Sequence, residues 1–291
     1  MKVYRLVPLT LLLLVFALPQ VAHANMAAPA NPDVGSSITF QKNDEISVRS
    51  EVLDITVDGA QADFMVTYTM VNTTEERVVT PSMFLSPNVE SGGVQVCIQG
   101  EPVPFTVERY ALNFTTEIQT EDWQYVVLSQ EEAASPEERT VDAIGFQLDF
   151  EPEQEYQVEV SYTYHLGGYP TYDFDVKRGD LEYYLRPAAL WKDFSSLTIN
   201  LHLDEEMPVL KNSTVEFERV GPRTYQYTSQ ELPKENLRIT IDESWWQTIF
   251  STLRSPYLGY TLLLMSPVIL VALVCVIVVI WLLRRAWKAR R

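Results

Sequence analysis

The feature that most constrains this chain is an uncharged stretch of 27 residues, Tyr257–Leu283, near the C-terminus. As a helix it would be about 40 Å long, against a hydrocarbon layer of about 30 Å in a bilayer. Its larger part, Leu262–Leu283, consists mostly of Leu, Val and Ile and has no polar face of the kind a soluble surface helix needs. Pro267 would break a soluble helix but is tolerated in a membrane span. The sequence therefore predicts a transmembrane helix at 257–283.

Basic residues directly after this stretch predict its orientation. The tail 284–291 contains no acidic residue and five basic ones, Arg284, Arg285, Lys288, Arg290 and Arg291. Because basic flanks remain in the cytoplasm, we expect the C-terminus inside the cell and the rest of the mature chain outside. Trp281 and Trp287 are expected at the inner membrane interface, where tryptophan is enriched.

The N-terminus has the pattern of a secretory signal peptide at 1–24. Lys2 and Arg5 precede a short apolar core at 6–18, and Ala22-His23-Ala24 provides a cleavage site of small residues. We expect the mature chain to start at Asn25.

Charge is distributed unevenly along the chain. Of 22 Lys+Arg residues, seven lie outside 25–258, which leaves 22 − 7 = 15 inside it. All 39 Asp+Glu lie within that segment, whose formal charge is therefore 15 − 39 = −24. Binding to nucleic acid requires clustered Lys and Arg, so the sequence argues against a nucleic-acid partner.

A second apolar pattern precedes the span, at 243–256. Ser244-Trp245-Trp246-Gln247 matches a capping box, and Ser255-Pro256 ends the segment. The sequence predicts a juxtamembrane amphipathic helix whose apolar side chains fall on one face, namely Trp245, Trp246, Ile249, Phe250 and Leu253. We interpret this face, above all Trp245, Trp246 and Phe250, as lying in the outer headgroup layer. The alternative is a helix packed onto the extracellular domain.

Between the two ends, apolar and polar side chains alternate with a period of two, as in 64–71 and 156–165. Such alternation is typical of antiparallel strands with one buried face. Further strands are predicted at 46–57, 123–128, 144–150, 181–185, 197–203, 214–218, 225–228 and 237–241. A hairpin is predicted from 94–99 to 103–107. Many short strands separated by Gly, Pro and Asn favour a mainly β fold, an antiparallel β-sandwich followed by the C-terminal transmembrane helix.

Composition suggests how this part is divided. Residues 25–33 have the character of a flexible leader, and the Gly- and Pro-containing stretch 169–179 is predicted to be a junction loop. We therefore expect a β-domain at 34–168 and a smaller β-unit at 180–242, packed together. A single larger sandwich is the alternative.

The cysteines indicate the setting of the protein. Cys97 is alone in the extracellular part and Cys275 lies in the predicted span, so no disulfide can form within the domain. Animal ectodomains of this size commonly carry disulfides, which favours a bacterial surface.

Four segments resemble a family of bacterial membrane-anchored surface proteins that carry a domain of unknown function. The resemblance covers roughly 40–245 and also the mature N-terminus, and it is carried by Asn25–Pro29, Ser50–Val57, Met70–Thr74 and Tyr184–Trp191. It implies an exported, β-rich domain and no particular activity.

Residues for catalysis or metal binding are sparse. After signal removal the only histidines are His165 and His202, both in alternating strands and outside any catalytic motif, so no catalytic residue is predicted. Two histidines and one distant cysteine make poor zinc ligation, so no metal site is predicted. Calcium remains the cofactor alternative, because Asp173, Asp175 and Asp180 supply oxygens in one loop, although the spacing does not match an EF-hand.

The best binding hypothesis from sequence is the same aromatic and acidic loop. It would bind through Tyr169, Tyr172, Asp173, Phe174 and Asp175, since exposed tyrosines beside polar groups suit sugars and peptides. The alternative is that these tyrosines are ordinary strand residues with inward rings.

These observations favour a single-pass, membrane-anchored extracellular β-sandwich at the bacterial cell surface that binds or scaffolds without catalysis. Its expected partners are membrane lipid and an envelope protein or wall component. The alternatives are an ectoenzyme acting on cell-wall polymers and an accessory subunit of a membrane complex.

Overall fold

The computed structural model describes residues 26–29, 37–38, 40–41, 43–90, 92–112, 128–129, 140–185, 187 and 190–289. The predicted signal peptide at 1–24 and most of the predicted strand at 123–128 lie outside these residues. The described residues form two compact units. The β-unit comes from Met1–Tyr169 and Arg178–Asp242, and the helical unit from Pro170–Lys177 and Glu243–Arg291.

The protein is mainly β and ends in a long apolar helix, which confirms the predicted fold class. The strands are β1 (Met26–Pro29), β2 (Ser37–Ile38), β3 (Phe40–Gln41), β4 (Ile46–Asp58), β5 (Gln61–Asn72), β6 (Val78–Ser86), β7 (Gln95–Ile98), β8 (Glu101–Pro102), β9 (Phe105–Leu112), β10 (Leu128–Ser129), β11 (Thr140–Phe150), β12 (Glu155–His165), β13 (Arg178–Tyr183), β14 (Leu197–His202), β15 (Val209–Ser213), β16 (Glu218–Gly221), β17 (Thr224–Ser229) and β18 (Leu237–Asp242). The helices are α1 (Trp245–Arg254) and α2 (Leu258–Ala289).

The strands form three sheets. An eight-stranded sheet has the order β16-β17-β14-β4-β5-β12-β7-β8, and a seven-stranded sheet the order β2-β10-β9-β11-β6-β1-β3. A three-stranded sheet has the order β13-β18-β15. Among the described residues, neighbouring strands pair antiparallel except β14 and β4, which run parallel.

The two large sheets pack face to face through the alternating side chains. In β5 and β12, Val66 is opposite Val160 and both are fully buried. Phe84 of the seven-stranded sheet meets Tyr162 of the eight-stranded sheet at a ring-centroid distance of 5.4 Å, and Phe150 stacks on Tyr156 at 4.4 Å. Burial of these apolar faces away from water is the main source of stability in such a sandwich.

The structure does not divide 34–168 and 180–242 into two separate units. Strand β14 pairs with β4, with Ile199 opposite Leu53, and both side chains are buried in the core shared by the two large sheets. Both predicted parts thus belong to one unit, because Ile199 and Leu201 extend the buried face of the eight-stranded sheet and have no separate core to fill.

Part of the predicted flexible leader, 25–33, is also structured. Strand β1 pairs with β6, with Met26 opposite Phe84. Met26 is fully buried, and the indole N–H of Trp191 donates a hydrogen bond to its carbonyl oxygen. An apolar side chain and a bonded backbone make this segment part of the core and not a leader.

The predicted hairpin between 94–99 and 103–107 is wrong. Strand β7 pairs with β12 on one side; on the other it turns through Gln99 and Gly100, both with positive φ, and pairs with the short β8. Pro102 and Pro104 have no N–H to continue that ladder. The chain instead enters the other large sheet, where β9 pairs with β11.

The predicted strand at 214–218 is wrong as well. Residues 214–217 lie between β15 and β16 outside any strand, with a bend at 214–215. The N–H of Val215 donates to the hydroxyl of Ser213, a local bond that competes with strand pairing.

Helix α1 begins with the predicted capping box. The hydroxyl of Ser244 accepts from the N–H of Gln247, and the side chain of Gln247 accepts from the N–H of Ser244. The helix ends at Ser255, as predicted from Ser255-Pro256. No residue of α1 is buried.

Helix α2 is long and apolar enough to cross a membrane. Leu258–Trp281 has a mean hydropathy of 3.2, and none of its apolar window is buried. Pro267 lies within the helix and cannot donate to the carbonyl of Leu263. The hydroxyl of Ser266 donates to that carbonyl at 2.7 Å, which satisfies the group that proline leaves unpaired.

Candidate binding groove

An open groove of about 470 Å³ lies in the β-unit. This volume is within the range of about 300–1,000 Å³ that is usual for ligand sites. Its lining comes from the segment before β7, from β9 and from the start of β11, and comprises Val89, Glu90, Gly92, Val94, Phe105, Val107, Arg109 and Asp142.

The floor of the groove is formed by Phe105 and Val107 of strand β9. Phe105 is opposite Phe146 and Val107 is opposite Ile144 on β11, so each pair projects from the same face of the sheet. Ile144 and Phe146 are buried in the core, whereas Phe105 and Val107 are 38% and 44% exposed. The core-facing side of the seven-stranded sheet therefore continues into the groove and presents apolar side chains there.

One end of the floor carries a fixed cation, Arg109. Its Nε and Nη2 donate to Asp142 at 2.7 and 2.9 Å, and the N–H of Val89 donates to the same carboxylate at 2.8 Å. The carboxylate of Asp142 is buried, while the side chain of Arg109 is 55% exposed. The hydrogen bond and the charge of Asp142 raise the pKa of the Arg109 guanidinium above its ordinary value. Since a guanidinium has five N–H groups, three are left for a ligand.

The wall opposite the floor is held by bonds to the eight-stranded sheet. The N–H of Glu90 donates to the carbonyl of Thr163 at 2.9 Å, and Gln61 donates to the Glu90 carboxylate at 2.6 Å. Gly92 has a φ of +96°, which disfavours any side chain, and a Cβ on Gly93 would lie 2.9 Å from the hydroxyl of Thr163. These contacts attach the wall to strands β5 and β12.

The groove combines apolar contact surface with one exposed cation. Its floor and walls offer Phe105, Val107, Val89 and Val94 for apolar contact. Arg109 is the polar group that can receive an anion, and the partly engaged carboxylate of Glu90 disfavours a second negative charge on the other side. Asp142 accepts three hydrogen bonds and is enclosed, so its role is to orient Arg109 and Val89.

A second cluster of functional groups is enclosed in the β-unit around Glu51. The hydroxyl of Tyr183 donates to Glu51 Oε1 at 2.6 Å, and the hydroxyl of Tyr68 lies 3.3 Å from that of Tyr183. Glu51 is fully buried, and within the described chain its Oε2 has no hydrogen-bond partner. Burial raises the pKa of the Glu51 carboxyl from 4.5 to about 8, although the hydrogen bonds from Tyr183 and Tyr68 act to lower it. Burial therefore favours the neutral, protonated form of Glu51.

A β-bulge explains why Glu51 points inward. The register between β4 and β5 shifts between Val48 and Ser50. Before the bulge the buried apolar positions of β4 are even-numbered, Ile46 and Val48, and after it the buried positions are odd-numbered, from Glu51 and Leu53 onward. Without the bulge, position 51 would face the opposite side of the sheet from Ile46 and Val48; the shift places Glu51 on the inner face instead.

The residues predicted to bind a ligand do not lie in the groove. Tyr169 belongs to the β-unit, and its hydroxyl donates to Glu206 at 3.1 Å. Tyr172, Asp173, Phe174 and Asp175 belong to the helical unit. There the rings of Tyr172 and Phe174 stack at 5.2 Å, and Asp173 lies 3.6 Å from Lys177.

The carboxylates of the calcium hypothesis have other neighbours. Asp180 lies in β13 and accepts a hydrogen bond from Thr240 at 2.7 Å. Within the part of the chain that the structure describes, no group of three or more His, Cys, Asp or Glu side chains is placed to hold a metal ion.

The residues predicted at the membrane interfaces lie in the two helices. Trp245, Trp246 and Phe250 are exposed on α1, and the two indoles are stacked. Trp281 is exposed on α2, with the guanidinium of Arg285 5.4 Å from its ring centroid. The side chains of Arg284, Trp287 and Lys288, and all of Arg290 and Arg291, lie outside the described part of the chain.

Comparisons with known proteins give distant likenesses only. No protein-family model and no curated protein matches the chain. Among solved structures, it is similar to a candidate nutrient-binding protein from Legionella pneumophila at 14% identity and a TM-score of 0.47, over 81% of this chain and 77% of that one. It is also similar to yeast LTA4 hydrolase in complex with bestatin at 9% identity and a TM-score of 0.36, over 68% of this chain and 29% of that one. An M1 zinc metallopeptidase from Deinococcus radiodurans matches at 13% identity and a TM-score of 0.35, over 68% and 42%. With sequence identities and TM-scores this low, the similar structures assign neither a family nor an activity to this chain.

Proposed function

We propose that this is a single-pass membrane protein whose β-unit, outside the cytoplasmic membrane, binds an apolar ligand with one anionic group. The observation that carries this proposal is the groove in which exposed Phe105 and Val107 lie beside Arg109. The proposed role is binding without catalysis.

Anchoring is supported by helix α2 and its flanks. The apolar stretch Leu258–Trp281 is about 36 Å long as helix, enough to cross a hydrocarbon layer of about 30 Å. Five basic residues follow it and all acidic residues precede it, which supports a cytoplasmic C-terminus and an exported β-unit.

The shape and charge of the groove support the proposed class of ligand. An acyl or aromatic body would cover Phe105 and Val107 and remove their apolar surface from water. A carboxylate or phosphate at one end would receive the remaining N–H groups of Arg109, whose orientation is already set by Asp142. The partly engaged carboxylate of Glu90 disfavours ligands charged negatively at both ends.

Binding of a medium-chain carboxylate tests the proposal directly. The full chain in lipid nanodiscs would be titrated with a fluorinated octanoate and with the neutral amide of the same chain, using ¹⁹F NMR and empty nanodiscs as a blank. We expect the carboxylate to bind at least tenfold more tightly than the amide, because hydrogen bonds to a charged group contribute about 1.5–3 kcal/mol.

Arg109→Gln is expected to weaken binding of the carboxylate about tenfold or more and to leave binding of the amide unchanged. Arg238→Gln is a matched control, because Arg238 is 53% exposed, pairs with Glu182 at 3.2 Å and lies outside the groove. Equal binding of carboxylate and amide, or no effect of Arg109→Gln, would contradict the proposed site.

A further inference from the structure

The segment 170–177 contains four of the five residues predicted to bind a ligand, Tyr172, Asp173, Phe174 and Asp175, and is part of the helical unit that contains α1 and α2. It precedes β13 in sequence, yet its backbone is tied to the residue before α1. The N–H of Lys177 donates to the carboxylate of Glu243 at 2.9 Å, and the N–H of Glu243 donates to the carbonyl of Lys177 at 3.1 Å. The hydroxyl of Ser251 on α1 donates to the same carboxylate at 2.9 Å. Glu243 thus fixes the segment to the start of α1.

Aromatic rings connect the segment to the start of the membrane span. Phe174 meets Tyr257 edge to face at 6.1 Å, and Tyr257 is the residue before α2. Tyr172 stacks on Phe174, and its side chain is 59% exposed. Val176 is exposed too. The segment therefore places apolar side chains directly beside the point where the chain enters the span.

Helix α1 adds an exposed apolar face to the same unit. At 100° per residue its large apolar side chains cover one side of the helix, and all of them are exposed, namely Trp245, Trp246, Ile249, Phe250 and Leu253. Serine and threonine occupy the other side, where Ser251 contacts Glu243. Such a face, continuous with a membrane span, is suited to the layer where headgroups meet acyl chains.

We propose that segment 170–177 is a second membrane-contacting element, which inserts Tyr172 and Phe174 into the outer headgroup layer together with the apolar face of α1. The proposal rests on the membrane anchoring proposed above. Its partner is lipid, because the segment is bonded to α1 and packed on Tyr257 at the entrance of the span. Asp173 and Asp175 against the single Lys177 make the segment net acidic, so attachment comes from burial of apolar surface and not from attraction to anionic lipid.

Depth-dependent fluorescence quenching on the full chain tests this proposal. In a background with Cys97→Ser and Cys275→Ala, an environment-sensitive label would be placed at Thr171→Cys, next to the aromatic pair, or at Leu264→Cys in α2. Vesicles would contain phosphatidylcholine, with or without phosphatidylglycerol, and lipids spin-labelled near the headgroup or deep in the acyl chain. A third label at Val220→Cys, exposed on β16, gives the value for the β-unit.

We expect the label at Thr171 to be quenched more by the shallow spin label than by the deep one, equally with and without anionic lipid. The label at Leu264 should show the opposite depth preference. Replacing both aromatic residues (Tyr172→Ser with Phe174→Ser) is expected to reduce lipid quenching at Thr171 at least twofold.

The two proposals fail in different ways. No lipid quenching at Leu264 would overturn the membrane anchoring itself. Quenching at Leu264 without quenching at Thr171 above the value at Val220, or quenching at Thr171 that is unchanged in the doubly substituted protein, would overturn the role of segment 170–177 alone.

Discussion

The free energy of unfolding of the unmodified protein is expected to fall by about 4 kcal/mol between pH 4.5 and pH 8, and the Glu51→Gln variant is expected not to show this fall. Burial raises the pKa of this carboxyl to about 8, against 4.5 for the ordinary group. Between these values the unfolded chain releases a proton that the folded chain keeps, so the free energy of unfolding falls as pH rises, by about 1.4 kcal/mol per pH unit. The contribution of Glu51 to the free energy of unfolding is highest below pH 4.5 and levels off above pH 8.

Urea unfolding of the full chain in detergent, followed by the β-sheet circular dichroism signal, measures this effect. The difference in unfolding free energy between Glu51→Gln and the unmodified protein should grow by about 4 kcal/mol from pH 4.5 to pH 8. Glu218→Gln, on the exposed strand β16, controls for loss of a surface charge. Parallel pH profiles for the Glu51→Gln and unmodified proteins would show that Glu51 is not held protonated in the fold.

The second large effect is expected at Phe84, where the three sheets meet. Its ring lies 5.4 Å from that of Tyr162 in the eight-stranded sheet and 6.1 Å from that of Tyr183 in the three-stranded sheet. Phe84→Ala would leave a cavity among these rings, and we expect a loss of about 3–5 kcal/mol in the free energy of unfolding. If that variant does not fold, Phe84→Leu should fold with a loss of about 1 kcal/mol.

Phe105→Ala is the matched control for this substitution. Phe105 is 38% exposed in the groove, so its removal is expected to lower stability by about 1 kcal/mol or less. The same variant should weaken binding of octanoate, because the floor loses apolar contact area. Similar losses of stability for Phe84→Ala and Phe105→Ala would contradict the assignment of one ring to the core and the other to an open groove.

The helical part of the fold could be predicted from sequence because its signals are local. Helix α1 follows from the spacing of Ser244 and Gln247, and both reciprocal hydrogen bonds of the capping box are present. Helix α2 follows from length and hydropathy alone. Strands with regular alternation, such as β5 and β12, were predictable for the same reason.

Burial of Glu51 could not be predicted from a regular alternation, although the sequence holds a signal for it. The apolar positions of β4 change phase between Val48 and Leu53, and a phase change within one strand indicates a bulge. A glutamate in phase with Leu53, Ile55 and Val57 then lies on the inner face.

The groove depends on pairing that sequence proximity hides. Residues 103–107 follow β7 so closely that a hairpin was predicted, and only the crossing of the chain into the seven-stranded sheet places Phe105 and Val107 in line with Ile144. The ion pair of Arg109 with Asp142 joins residues 33 positions apart. Pairings at this distance are decided by the packing of whole sheets and not by local pattern.

In the aromatic segment 170–177, the composition was visible in the sequence but the contacts were not. Its composition, with Tyr172 and Phe174 beside Asp173 and Asp175, predicted a binding loop, but the contacts that give it a place in the molecule come from Glu243 and Tyr257. Glu243 lies 66 residues after Lys177 and Tyr257 lies 83 residues after Phe174, at positions that the sequence assigned to the membrane-proximal region.

Photo-crosslinking tests the proposed binding function most directly. The full chain in nanodiscs would be irradiated with a diazirine-bearing medium-chain carboxylic acid, with and without excess octanoate, and the adducts mapped by mass spectrometry. We expect adducts in 89–94 and 105–109 that octanoate suppresses and that are lost in Arg109→Gln. Adducts confined to α2, or adducts in the β-unit that persist unchanged in Arg109→Gln, would contradict a binding site built on Phe105, Val107 and Arg109.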